Sequence, residues 1–146
     1  MNDLTNLIMK YYGCATYNSG KNTIQQMIIA YNQTQKMKVP TNAAWCAILL
    51  YNLCRFLKYD IQGANAWVAS WCNLGNTIMF EDAQMGDIVI IGDNVNQTHI
   101  STFVRWSNDG TYAYLLGGNQ GNQINIMQFP EESIFKIIRL NKLNQS

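Results

Sequence analysis

The chain of 146 residues lacks several features that mark particular classes of protein. Only two prolines and 48% hydrophobic residues argue against a disordered chain and predict a single compact domain over residues 1–146. Ten basic and nine acidic residues leave a net charge of +1 with no basic block, so we do not expect nucleic acid as a partner. No apolar stretch approaches the roughly 20 residues that cross a bilayer, so we expect no membrane insertion.

Histidine and cysteine are also scarce, with one histidine and four cysteines. The cysteines could pair in three ways, but no CxxC motif is present, so we expect neither a zinc site nor any other metal or cofactor. Thiol chemistry at Cys46 requires that this cysteine stay reduced. The first thirty residues lack the basic and apolar segments of a secretory signal, so we expect the protein to be made in the cytoplasm without a signal peptide.

The hydrophobic pattern of the first half predicts helices. Apolar residues recur there at mixed spacings of three and four, and the third segment is apolar almost all round, as in a central buried helix. The predicted helices cover residues 3–12, 22–31, 43–58 and 64–74. Thr41 or Asn42 is expected to cap the third helix, and Gly75 is expected to close the fourth in a left-handed conformation.

The second half predicts strands, because short runs of β-branched and aromatic residues alternate with Gly, Asn and Asp turns. The predicted strands cover residues 87–91, 99–106, 111–116, 123–129 and 133–140. Residues 107–110 read Ser-Asn-Asp-Gly, a hairpin signal because these residues tolerate positive φ angles. We therefore predict an antiparallel meander that follows the helices, which is the α+β order.

Cys46 lies at the predicted start of the central helix. Free backbone N–H groups and the positive end of the helix dipole stabilise a thiolate at such a position, so Cys46 is a candidate nucleophile. The alternative is that Cys46 is a small buried apolar residue, which is the commoner role of a cysteine. We assign that role to Cys14, Cys54 and Cys72.

His99 opens a predicted strand and is the only histidine that could act as a base for Cys46. In the alternating pattern, its face also carries Ser101, Phe103 and Arg105. The next strand ends in Gly117 to Gln120, where two glycines allow a turn and a close approach. If the two strands are neighbours, Asn119 can hydrogen bond to the imidazole and orient it. An ordinary exposed histidine and a plain hairpin turn are the alternatives.

These motifs together resemble the NlpC/P60 and CHAP superfamily of papain-like cysteine peptidases and amidases. The resemblance covers about residues 31–139 and departs from the family where an acidic residue and a proline often precede Trp-Cys, since the chain has Asn-Ala-Ala at 42–44. The matching motifs are Trp45-Cys46-Ala47, Ser70-Trp71 with Gly75, Gly86-Asp87, His99-Ile-Ser101 and Leu116-Gly-Gly-Asn-Gln120.

The resemblance implies a papain-like fold, with a central helix that begins at the nucleophile and packs on a C-terminal antiparallel sheet. It implies that Cys46 is the nucleophile, His99 the base and Asn119 the third residue, with Gln120 as the alternative for that role. Asp87 is implied to be structural. The implied substrate is the peptidoglycan stem peptide, cut after D-glutamate, at a cross-link or at the sugar–peptide amide.

An enzyme of this kind would act in the periplasm or cell wall. It would be delivered there as a phage lysin, by a phage tail or by a contact-dependent secretion system, and a delivered antibacterial effector would need a cognate immunity protein. Two other functions stay open. One is a papain-like acyltransferase or deamidase that acts on a non-wall substrate, and the other is a catalytically inactive binding module.

Overall fold

The computed structural model describes residues 2–143, in which three α-helices precede six β-strands. The helices are α1 (Asp3–Met9), α2 (Lys21–Gln33) and α3 (Cys46–Phe56). The strands are β1 (Asn76–Ile78), β2 (Ile88–Gly92), β3 (Gln97–Trp106), β4 (Tyr112–Gly117), β5 (Asn125–Pro130) and β6 (Ile134–Arg139). The predicted α+β class is confirmed. Within residues 2–143, no helix combines the length and the apolar character needed to cross a bilayer.

The central helix begins later than predicted, at Cys46, with Trp45 as its N-cap and no side-chain cap. The prediction that Thr41 or Asn42 caps it is therefore wrong. The preceding residues form a separate turn, in which the Ala43 N–H donates to the Pro40 carbonyl at 3.0 Å. As predicted, the helix is buried on nearly all sides, and the residues from Ala47 to Leu50 are fully buried.

The helix predicted over residues 64–74 is only a single 3₁₀ turn, Val68–Trp71. Side-chain hydrogen bonds, one from α2 and one local, compete with helix formation here. The Tyr31 hydroxyl accepts the Ala66 N–H at 2.8 Å, and the Asn65 side chain accepts the Trp67 N–H at 2.9 Å. Gly75 nevertheless has the predicted left-handed conformation, with φ +55°.

The six strands form one antiparallel sheet in the order β1-β6-β2-β3-β4-β5. Strands β2 to β5 form the predicted meander, and the hairpin at 107–110 closes through a bond from the Gly110 N–H to the Ser107 carbonyl at 3.0 Å. The prediction that the last strand continues the meander is wrong. β6 pairs with β1 on one side and with β2 on the other, so it lies inside the sheet between them. Ile137 and Ile138 are both fully buried, so both faces of β6 are covered.

Each face of the sheet has its own apolar core. On one face α3 packs against Ile90 and Ile100, while Phe103 lies in the core on the other face. A bulge at Val104 interrupts the predicted alternation of β3. Trp106 therefore lies edge-on to Phe103, with ring centroids 5.3 Å apart, instead of sharing the face of Ile100.

Candidate active site

Cys46, which the sequence placed near the start of the central helix, is the first residue of α3, and only 5% of it is exposed. Backbone N–H groups of Ile100, Ala47 and Cys46 itself favour its thiolate, but burial dominates and raises the pKa of the Cys46 thiol. The predicted stabilisation by the helix start is present, but burial outweighs it. All four cysteines are unpaired, so the condition that Cys46 stay reduced is met.

The His99 imidazole is half-buried near the start of β3. Its ring stacks on Phe129 of β5, with centroids 5.4 Å apart and an interplanar angle of 17°. Its Nε2 atom lies 3.1 Å from Oε1 of Gln120. The ring is therefore held both by an aromatic neighbour and by a polar one.

The orientation of the Gln120 amide is set by its other partners. Its Nε2 donates to the carbonyl oxygens of Leu115 at 3.2 Å and Asn125 at 2.9 Å, and to Oδ1 of Asn125 at 3.0 Å. Its Oε1 accepts the Ser101 hydroxyl at 2.7 Å as well as the imidazole. Because an amide oxygen only accepts, this arrangement assigns the proton to Nε2 of His99 and leaves a lone pair on Nδ1.

The predicted hydrogen bond between Asn119 and the imidazole is not formed, and Gln120 takes that position. Asn119 has φ +58°, a left-handed conformation that asparagine tolerates better than most residues. The chain turns there, and the following side chain, Gln120, points back into the protein and is 98% buried, with an exposed fraction of only 2%. The sequence contained a signal that Gln120 and not Asn119 contacts the imidazole. Asparagine tolerates the left-handed turn, and the longer glutamine side chain can extend to the imidazole.

The two glycines before Asn119 are required for space and not for a turn, because neither has a positive φ. A Cβ atom on Gly118 would lie 2.6 Å from the Trp45 ring, and one on Gly117 would lie 2.3 Å from the Ser101 hydroxyl. The end of β4 thus contacts the start of α3 on one side and the Gln120 network on the other. The sequence analysis missed the roles of Ser101, Asn125 and Phe129, and only Ser101, a small polar residue two positions after the histidine, offered a signal.

Within residues 2–143, no hydrogen bond joins the Cys46 thiol to the His99 imidazole. The Cys46 sulfur lies beside the backbone N–H of Ile100, the residue that follows His99. Burial lowers the pKa of His99, and the bond from Gln120 only partly offsets it. Both groups are therefore neutral near pH 7, which suits general-base catalysis instead of a preformed ion pair.

Asp87 has the geometry of the structural residue that the resemblance implies. Its buried carboxylate accepts two hydrogen bonds of 2.9 Å from Arg139 of β6 and one of 2.8 Å from the Gln84 N–H. Because Asp87 precedes β2, its ion pair with Arg139 connects the start of β2 to the end of β6. None of these bonds reaches Cys46 or His99.

Two of the cavities among residues 2–143 lie beside α2. A cleft of about 550 Å³ is lined by Trp45 and Asn119, the residues that precede Cys46 and Gln120. A larger groove of about 1150 Å³ lies between the helices and includes none of the candidate residues.

The sequence matches no model of a known protein family and no curated protein. The resemblance to the NlpC/P60 and CHAP enzymes therefore stays a prediction.

Proposed function

We propose that this chain is a papain-like cysteine hydrolase that cuts amide bonds in bacterial peptidoglycan. Cys46 is the nucleophile, His99 the base and Gln120 the residue that positions the base. The bond between Gln120 Oε1 and His99 Nε2 carries the proposal, because it leaves Nδ1 free to accept a proton while the Cys46 thiol lies beside the adjacent residue, Ile100.

The reaction begins when Nδ1 of His99 takes the proton from the Cys46 thiol. The thiolate attacks the amide carbonyl carbon, and the oxygen that gains the negative charge is stabilised by the backbone N–H of Cys46. The imidazolium then protonates the leaving amine, and a thioester remains on Cys46. A water molecule deprotonated by His99 hydrolyses the thioester to a carboxylate and restores the thiol. General-base assistance of this kind contributes roughly 10²–10⁴-fold to the rate.

The motif resemblance supports the substrate class. Stem peptides offer three kinds of amide bond: the bond after D-glutamate, the cross-link and the sugar–peptide amide. The proposed enzyme is made in the cytoplasm and reaches the periplasm or wall by phage or by contact-dependent secretion. If it is delivered to neighbouring bacteria, the producing cell needs an immunity protein that covers the site around Cys46.

Digestion of purified sacculi tests the proposal. We expect soluble muropeptides from the unmodified protein, none from Cys46→Ala, and an unchanged yield from Cys72→Ala, which removes a half-exposed thiol from a different part of the fold. Mass spectrometry of the new amine and carboxylate ends identifies the bond that is cut. Release by Cys46→Ala would contradict the assigned nucleophile, and no release by the unmodified protein would contradict a wall hydrolase.

One observation favours a second candidate, a catalytically inactive binding module. Cys46 is 5% exposed and makes no hydrogen bond to His99 within the described residues. For an inactive module, sacculus fragments should leave the alkylation rate of Cys46 unchanged. For the hydrolase, fragments that occupy the site should change that rate, while the rate at Cys72 stays constant.

A further inference from the structure

Phe129 lies in the edge strand of the sheet and contacts the candidate base. In the strand order β4 separates β5 from β3, so Phe129 and His99 do not lie on paired strands. Their rings nevertheless stack, with centroids 5.4 Å apart and an interplanar angle of 17°. A nearly parallel pair at this distance is a preferred arrangement of aromatic rings, so Phe129 constrains the plane of the imidazole.

The backbone of β5 holds Phe129 in a fixed position. Phe129 pairs with Ala113 of β4, and two residues further on the Glu131 N–H donates to the Thr111 carbonyl at 2.9 Å. The Phe129 side chain packs against the core on the face of Phe103 but remains half-buried. A ring on a paired strand positions its neighbour more precisely than a ring on a loop.

The two contacts of the imidazole restrict different motions. The hydrogen bond from Gln120, in the turn after β4, fixes the position of Nε2 at 3.1 Å but leaves the ring free to tilt about that contact. The stack on Phe129 opposes this tilt, because tilting would separate the two ring faces. Together they hold both the edge and the plane of the ring.

From these two contacts, and resting on the proposed function, we propose that Phe129 is a positioning residue for the base. It keeps the imidazole of His99 in the plane from which Nδ1 accepts the proton, and it touches no reacting atom itself. A small misplacement of a catalytic group slows a reaction without weakening the binding of its substrate, so the loss of this stack affects kcat and not KM.

NMR of the ring signals of His99 tests the positioning without substrate, because the chain has no other histidine. In the unmodified protein, the face of Phe129 should shift the ring C–H protons of His99 upfield, and the Nε2–H proton should exchange slowly enough to be observed. Phe129→Leu keeps an apolar side chain but removes the ring, so both signatures should be lost. Phe129→Tyr keeps the ring and should retain them.

Phe103→Leu is the matched control. It removes an aromatic ring from the same core, but that ring lies against Trp106, with centroids 5.3 Å apart. Phe103 is 3% exposed, so this variant should lower the urea midpoint at least as much as Phe129→Leu while both signatures of His99 stay unchanged. If Phe129→Leu does not fold, Phe129→Met removes the ring with a more flexible apolar side chain.

Kinetics on sacculi solubilised by a muramidase separate positioning from structural support. We expect Phe129→Leu to lower kcat by roughly 10–100-fold with KM unchanged, the effect of a small misplacement of a catalytic group. Phe129→Tyr should restore kcat, and Phe103→Leu should retain it.

Both signatures of His99 in Phe129→Leu, or their loss in Phe103→Leu, would overturn the inference. An unchanged kcat in Phe129→Leu, or a kcat that Phe129→Tyr does not restore, would also overturn it. Failure of the proposed function has a different signature. No muropeptide release by the unmodified protein, together with signals of His99 that depend on Phe129, would contradict the hydrolase and keep the positioning of the imidazole.

Discussion

The hydrogen bond between Gln120 and His99 makes a prediction that can be tested without any substrate. Because the chain has one histidine, every imidazole signal in an NMR spectrum belongs to His99. Burial lowers the pKa of His99, and the amide oxygen of Gln120 raises it. Gln120→Leu and Gln120→Glu should therefore move this pKa in opposite directions.

The expected sizes follow from the 3.1 Å contact between His99 Nε2 and Gln120 Oε1. A neutral hydrogen bond contributes about 0.5–1.5 kcal/mol, and one pKa unit corresponds to about 1.4 kcal/mol, so Gln120→Leu should lower the His99 pKa by roughly 0.4–1 unit. A hydrogen bond to a charged group contributes about 1.5–3 kcal/mol, so Gln120→Glu should raise it by roughly 1–2 units.

A pH titration of the His99 ring carbon and nitrogen signals between about pH 4.5 and 8.5 measures both shifts. The control is Gln62→Glu, which adds the same charge at an exposed position outside the site and should change the pKa by no more than about 0.3 unit because salt screens it. Shifts of the two Gln120 variants in the same direction, or no larger than that of the control, would refute the assigned orientation of the amide.

The remaining predictions concern stability and thiol reactivity. Because the pKa of His99 is lowered in the folded protein, the unfolded chain binds a proton first as the pH falls below about 6.5, so the free energy of unfolding should decrease there by up to about 1.4 kcal/mol per pH unit. Urea unfolding at several pH values below about 6.5 should show this slope, and His99→Gln should remove it. Gly118→Ala should destabilise the protein by about 1–3 kcal/mol in the same assay, because its Cβ would collide with the Trp45 ring, and an unchanged unfolding midpoint would contradict that packing. In the absence of substrate, iodoacetamide should label Cys72 before Cys46, because burial raises the pKa of both thiols but Cys72 is half-exposed and Cys46 is buried. Peptide mass mapping of a short reaction measures the order, and earlier labelling of Cys46 would contradict its burial.

The sequence alone determined the parts of the protein that depend on local pattern. The order of helices before strands, the position of Cys46 near a helix start and the hairpin at 107–110 all follow from hydrophobic period and turn chemistry, which act over a few residues. The four-stranded meander was also predictable, because consecutive strands joined by short turns usually pair. These features put Cys46 at the start of a helix and His99 on a strand of the meander.

Tertiary structure decided the features that depend on contacts between distant residues. The position of β6 depends on its backbone pairing with β1 and β2, which are distant in sequence, and a run of isoleucines does not reveal those partners. The partner of His99 depends on the left-handed turn at Asn119, which directs Gln120 and not Asn119 into the protein. The protonation state of Cys46 likewise depends on its burial, because the cost of desolvating a thiolate outweighs three nearby N–H groups, and burial is a property of the whole fold.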